Sequence, residues 1–244
     1  MNMPSFEELF EELARHNDRS VIWNNWLEYT INANILYRQR PDNTNYHGNE
    51  KTYFEMMQAW LNELAIKLEK YPYYDMLGKF YEELVQSKSK AGQLQQYYSP
   101  ISVTELLSDL DLHDKKADDL HGRIANDPTC GSARTLLSAH VKSKGELFCV
   151  GQDLDRTSCH MAVLNFYSHG VRGSILHMDT LELTFYAGWR INKYLYHGIP
   201  IPHIEEVHSP VEAYDFFELK NDNVDETTVA STTISKGDVQ TTLI

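Results

Sequence analysis

From residue 4 to about residue 90 the apolar positions recur at helical spacing. In "SFEELFEELARH" Phe6, Leu9, Phe10 and Leu13 share one face, and Ser5 with Glu8 three residues on has the form of a capping box. "VIWNNWLEYTINANILY" continues the pattern, and "PDNTNYHGNE" breaks it at Pro41 and Gly48. "KTYFEMMQAWLNELAIKLEKY" and "YDMLGKFYEELVQS" then add two more helices. The aromatic residues of these stretches fall on their apolar faces, so core packing is expected of them rather than base stacking.

The pattern changes near residue 90. "GQLQQYYSPISVTELLSDLDL" reads as a polar loop running through Ser99 and Pro100 into an amphipathic helix. Five elements follow in alternation: strand "RIANDP", helix "SARTLLSAHVKS", strand "LFCVGQDLD", helix "RTSCHMAVLNFYSHG" and strand "GSILHMDTL". Strands alternating with helices of ten to fifteen residues predict βαβ units on a parallel sheet, an α/β fold. Residues 182 to 217 show no clear period. The stretch from 218 to 244 is rich in Thr, Ser, Asp and Asn and is expected to be disordered. The expected organisation is therefore a helical domain at 1–90, an α/β domain at 91–217 and a polar tail at 218–244.

Composition narrows the function without deciding it. With 244 residues and 42% hydrophobic content the chain can bury one sizeable core. It has no apolar run of the roughly 18 residues a membrane span needs, and it opens with an acidic amphipathic stretch, so a cytoplasmic protein is expected. A formal charge of -13 repels nucleic acid, so work on DNA would require a local basic face or a partner that supplies one. Cys130, Cys149 and Cys159 are odd in number and lack metal-type spacing, which points to reduced thiols. His197, His203 and His208 are six and five residues apart, a spacing that fits no common ligand pattern, and no metal is expected. Asn165 and His169, four apart on a helix, read as ordinary surface polarity, and Arg134 as a solvated helix residue.

Each of the three predicted strands ends on an acid: Asp127, Asp153 and Asp179. In doubly wound sheets ligands bind at the carboxyl ends of the strands, where a turn of small residues brings backbone close and an acid grips a ribose. Cys130, Gly131 and Ser132 form such a turn, and Asp153 lies 26 positions beyond Asp127. The turn carries one glycine, not the G-x-G-x-x-G of dinucleotide enzymes, and Asp127 would repel a pyrophosphate while attracting an amine. A ligand with a ribose, an adenine and an ammonium group fits better. S-adenosylmethionine has all three.

"DMLGKFYEEL", "GQLQQYYSP", "NDPTCGSARTLL", "GQDLD" and "HMDTL" stand in an order and spacing that resemble the modification subunits of type I restriction systems and related N-6 adenine DNA methyltransferases. The resemblance covers residues 73 to 181. It implies a Rossmann-like methyltransferase sheet and S-adenosylmethionine as cofactor. By its motifs, Tyr98, Ser99 and Pro100 match the loop that closes over the methionine part. Asp127, Pro128, Cys130, Gly131 and Ser132 match the turn that holds the amino acid end. Asp153 matches the acid on the ribose, Leu154 the apolar residue against adenine, and Asp179 the acid near the adenine amine. Ala133 and Arg134 depart from the family, which has a second glycine and a small residue there, and Ser99 stands for a threonine.

The family's transfer step uses Asn, Asp or Ser followed by Pro-Pro and an aromatic, which holds a base flipped out of the duplex. No Pro-Pro pair occurs in this chain. The nearest candidate is "HSPVEAY", with Ser209 and Pro210 in the first two positions and the aromatic displaced to Tyr214. Some 35 residues separate the third strand from the polar tail, which leads to the expectation of an incomplete sheet. Three functions stay open. One is adenine methylation in DNA with a specificity subunit and a second methyltransferase chain as partners. Another is a catalytically degenerate binding or regulatory module. The third is methylation of a small molecule or a protein.

Overall fold

The computed structural model describes residues 4–36, 46, 48–86, 101–112, 115, 117–195, 200–214 and 241–243. Helix α1, Phe6–Ala14, starts on the expected capping box: Ser5 Oγ accepts from Glu8 N at 3.2 Å and Glu8 Oε2 accepts from Ser5 N at 2.8 Å. Asp18 caps α2, Arg19–Ala33, by accepting the Ser20 and Val21 N–H groups. Helix α3 spans Glu50–Leu68, and α4, Met76–Phe80, runs on into a wider π-helical turn, Tyr81–Gln86. The aromatic stripes meet inside, as expected. Phe6 packs edge-on to Trp26 at 4.7 Å, Trp23 stacks on Phe80 at 5.3 Å, and Trp26 meets Trp60 at 5.9 Å.

Helix α5, Ile101–Leu112, lies against α7 (below) with its apolar stripe turned outward. Thr104 and Ser108 are fully buried while Val103, Leu106, Leu107 and Leu110 are exposed. Small polar side chains face inward because each finds a partner: Ser108 Oγ bonds Thr104 O, and Thr104 Oγ1 meets the Tyr73 hydroxyl. A short α6, Ala117–Leu120, leads to the sheet.

Strands β1, Ile124–Asp127, β2, Phe148–Asp153, and β3, Gly173–Asp179, pair in parallel, joined by crossovers α7, Arg134–Lys142, and α8, Arg156–His169. This is the alternation read from the sequence. The remainder is not parallel throughout. Four residues separate β3 from β4, Thr184–Ile191, too few for a crossover, so β4 returns antiparallel and β5, Ile204–Val207, pairs antiparallel with it. Residues 182 to 217 thus supply two strands and a short helix α9, Pro210–Ala213. Within the tail expected to be disordered, Thr241–Leu243 form β6, parallel to β1, giving the order β5-β4-β3-β2-β1-β6.

One face of the sheet, with Ala125, Cys149, Ile175, Trp189 and Ile191, packs into the same apolar cluster as Phe6, Trp23, Trp60 and Leu136, so the N-terminal helices and the sheet share one core. The other face places Ile124, Phe148, Val150, Leu176 and Met178 near Ala213 and Tyr214. No helix among the described residues is long and apolar enough to cross a membrane.

Candidate functional site

The last residues of β1, β2 and β3 are Asp127, Asp153 and Asp179. Asp127 pairs across to Gly151, two residues before Asp153, and Asp153 pairs across to His177, two residues before Asp179. Residues two apart on a strand share a face, so the three acids stand on one face along a slanted edge, about 8 Å per step from strand spacing and rise. The sequence placed all three correctly because each is set by where a single local strand ends.

Between the first two acids the chain makes a tight turn. Asp127, 7% exposed, accepts the Thr129 N–H at 3.1 Å. Cys130 N donates to Gln152 O at 2.8 Å and so seals the turn to β2. A Cβ on Gly151 would come within 2.8 Å of Cys130 Sγ, so the turn lies on β2 only because residue 151 is glycine. Asp153 Oδ2 accepts from Gly131 N and its Oδ1 from Asp155 N, both at 2.8 Å. Gly131 and Ala133 have φ of 55° and 71°, left-handed backbone that glycine accepts and alanine resists.

Burial raises the Asp127 carboxyl above the usual carboxylate range, and the nearby Asp153 charge adds to the effect. Burial raises Asp153 too, against the pull of its backbone N–H partners. The Cys130 and Cys159 thiols are buried and pushed well up, which makes them poor nucleophiles. Leu154 is 61% exposed just past β2, and its carbonyl lies 3.1 Å from His177 Nε2. Asp179 is half-buried and takes the Leu181 and Glu182 N–H groups on Oδ1.

The remaining predicted residues fall elsewhere. Tyr98, Ser99 and Pro100 lie outside the described residues. Ser209 is the N-cap of α9, its Oγ accepting from Glu212 N at 3.3 Å, and Pro210 is the first residue of that helix. Helix α9 sits on the sheet face opposite the acids, where Ala213 O accepts from Ser174 Oγ. Tyr214 does not stand at the acid row. Its hydroxyl accepts from Gln152 Nε2 at 3.1 Å, on that same opposite face.

Two readings from the sequence are corrected. Arg134 is 8% exposed, not solvated, with Nε on Asp75 Oδ2 at 2.5 Å and Nη2 on Glu82 Oε2 at 2.9 Å. Asn165 is buried and His169 half-buried, and both bond inward rather than to solvent alone. Asn165 Nδ2 donates to Asp75 Oδ1 and Ser132 O, and His169 Nε2 accepts from Tyr74 N at 3.3 Å. Asp75, which sequence reasoning did not single out, is 3% exposed and ties this set together. The local signal was Asp75 three residues before Gly78, a helix cap; its partners 57 and more residues away were not readable. Among the described residues no group of three or more His, Cys, Asp or Glu could hold a metal ion.

The family described as N-6 DNA Methylase matches residues 73–187. The matched stretch, 115 of the 244 residues, is similar to that family. The match begins two residues before Asp75 and takes in the turn and all three strand-end acids. A solved methyltransferase subunit of the type I restriction-modification system from Streptococcus thermophilus is similar at 22% identity, covering 68% of this chain and 36% of that one, with a TM-score of 0.36. The chain thus spans about a third of that subunit's length. A search of curated proteins finds no match to the chain.

Proposed function

We propose that the chain holds S-adenosylmethionine at the carboxyl ends of β1, β2 and β3, and that it serves adenine methylation in DNA together with partner subunits. The observation that carries this reading is the slanted row of Asp127, Asp153 and Asp179 on one face of a parallel edge, beside a turn tied to Asp153 by the Gly131 N–H. The order β3-β2-β1 with helical crossovers supports a Rossmann-like methyltransferase sheet, whose ligands sit at this edge.

The residues fit the cofactor. Asp153 spends one lone pair of each oxygen on backbone N–H groups and keeps others for a pair of ribose hydroxyls. Asp127 takes one backbone N–H and is desolvated, so an ammonium group close to it would relieve a buried charge. Leu154 offers an exposed apolar surface for adenine, and Asp179 an acceptor for its amine. Tyr98, Ser99 and Pro100 are assigned by resemblance alone. When bound, the cofactor supplies a methyl group activated on a sulfonium. The chain's own part is to bind and orient that group, with residues 130–133 pressed on β2 to exclude water behind it.

A charge of -13 opposes binding to duplex DNA, so a basic specificity subunit would supply that contact, in the cytoplasm where the DNA lies. The second reading, a degenerate module, draws on Ser209 and Pro210 serving as the start of α9 on the far face, in a chain without a Pro-Pro pair. Calorimetry with S-adenosylmethionine should show one saturable site. Asp153→Ala should weaken it by about 1–3 kcal/mol, the range for removing a charged hydrogen-bond partner. No heat at millimolar cofactor would end the proposal. Transfer of radiolabelled methyl to duplex DNA, with the chain alone and with its partner subunits, separates an active enzyme from the degenerate module.

A further inference from the structure

The motif "DMLG" holds a residue that no role above absorbs. Asp75 is almost fully buried, and each of its oxygens has two partners. Oδ1 accepts from Gly78 N and Asn165 Nδ2, both at 2.8 Å. Oδ2 accepts from Ser132 Oγ and Arg134 Nε, both at 2.5 Å. Ser132 and Arg134 bracket Ala133, the non-glycine residue held in left-handed backbone at φ 71°. Such a conformation persists only when its surroundings over-determine it. Here one carboxylate oxygen fixes the residues on both sides. The same Asn165 Nδ2 also donates to Ser132 O, and Ala133 N donates to Cys130 O at 2.7 Å. Gly78 leaves the space: a Cβ there would overlap Asp75 Oδ2 and lie 2.6 Å from Ser132 Oγ.

We propose that Asp75 is a positioning residue for the cofactor turn, a carboxylate carried by the N-terminal helices that holds residues 131–133 in the conformation aiming the Gly131 N–H at Asp153. The N-terminal helices are then part of the binding machinery, although none of their groups need touch the ligand. This rests on the S-adenosylmethionine reading. Arg134, a cation at the start of α7, is by the same geometry committed to Asp75 and Glu82 and acts behind the turn.

Asp75→Asn keeps the size but turns an amide N–H₂ toward a hydroxyl donor or the guanidinium. Affinity for S-adenosylmethionine should fall at least tenfold, and Arg134→Lys, which keeps the buried cation, should give a smaller loss. Ala133→Gly, which removes the backbone strain, should restore at least half of either loss on a logarithmic scale when combined with either substitution. A role in general stability alone would not be rescued in this way. Amide hydrogen exchange of the unliganded protein gives a readout independent of the cofactor. In Asp75→Asn the Gly131 and Ala133 amides should exchange at least ten times faster, while amides of β2 and β3 change far less. If the parent binds no cofactor, the functional reading fails and the exchange test still decides the positioning role. Unchanged exchange at Gly131 and Ala133, or wild-type affinity in Asp75→Asn, or a loss that Ala133→Gly leaves untouched, would overturn it.

Discussion

Asp127 and Asp153 are held at the end of the sheet against their own preference for water. Their carboxyl groups are raised by burial first, and Asp127 also by its neighbour's charge. A carboxyl raised above its unfolded value contributes stability below the unfolded pKa and loses it as pH rises through the folded one. At neutral pH both therefore weaken the empty fold. Asp127→Asn keeps an acceptor for the Thr129 N–H and removes the buried charge, so it should raise stability and with it Tm. The same change should weaken cofactor binding, because the ammonium loses its counter-charge. Melting curves and titrations on one preparation check both, and a lower Tm would refute the account. These acids were legible in the sequence because a strand end is a local event. Asp75 was not, because its role depends on Ser132, Arg134 and Asn165, at separations of 57, 59 and 90 residues.

Among the elements, legibility followed connection length and the side chains' available partners. β1, α7, β2, α8 and β3 were read correctly because each has a clear period and lies between turns. β4 and β5 were missed because residues 182 to 217 show no single period and their direction is set by a four-residue link. Helix α5 shows a different failure. Its amphipathic pattern was read correctly, yet the apolar stripe faces outward because Thr104 and Ser108 satisfy each other and Tyr73 inside. Leu106 and Leu110 are 57% and 69% exposed, so replacing either with Gln should change stability by less than about 0.5 kcal/mol. Denaturant midpoints would show this. A loss above about 2 kcal/mol would mean that this face is covered in solution.

At the scale of the whole molecule, the helices at the N-terminus and the sheet share one core, so events in one are felt in the other. Periodicity reveals which face of each element is apolar but not which faces meet, and for that reason the common core was not visible in the sequence. Several of its histidines have been carried inside as neutral rings. His160 packs edge-on to Trp189 at 5.1 Å, between α8 and the sheet, and burial first, with Arg156 second, lowers its pKa to about 3. Burial also lowers His140, on α7, to about 4, and shifts His169 the same way. A base depressed in the fold contributes stability that is complete above its unfolded value of 6.5 and lost as pH falls toward the folded one. Between pH 7 and 5 the two largest shifts each remove roughly 2 kcal/mol, at 1.36 kcal/mol per unit below 6.5. The raised carboxyls Asp127 and Asp153 act in the opposite direction, but each gives back little until pH falls near its own folded value. Histidine therefore dominates the upper part of the window. Thermal melts from pH 8 to pH 5 should show a single transition that falls steeply below about pH 6.5. His160→Gln, which removes the titration but keeps a polar group of similar length, should lower Tm at pH 8 and flatten the fall to pH 5. A profile equally steep in this variant would show that the buried imidazole is not what acid attacks first.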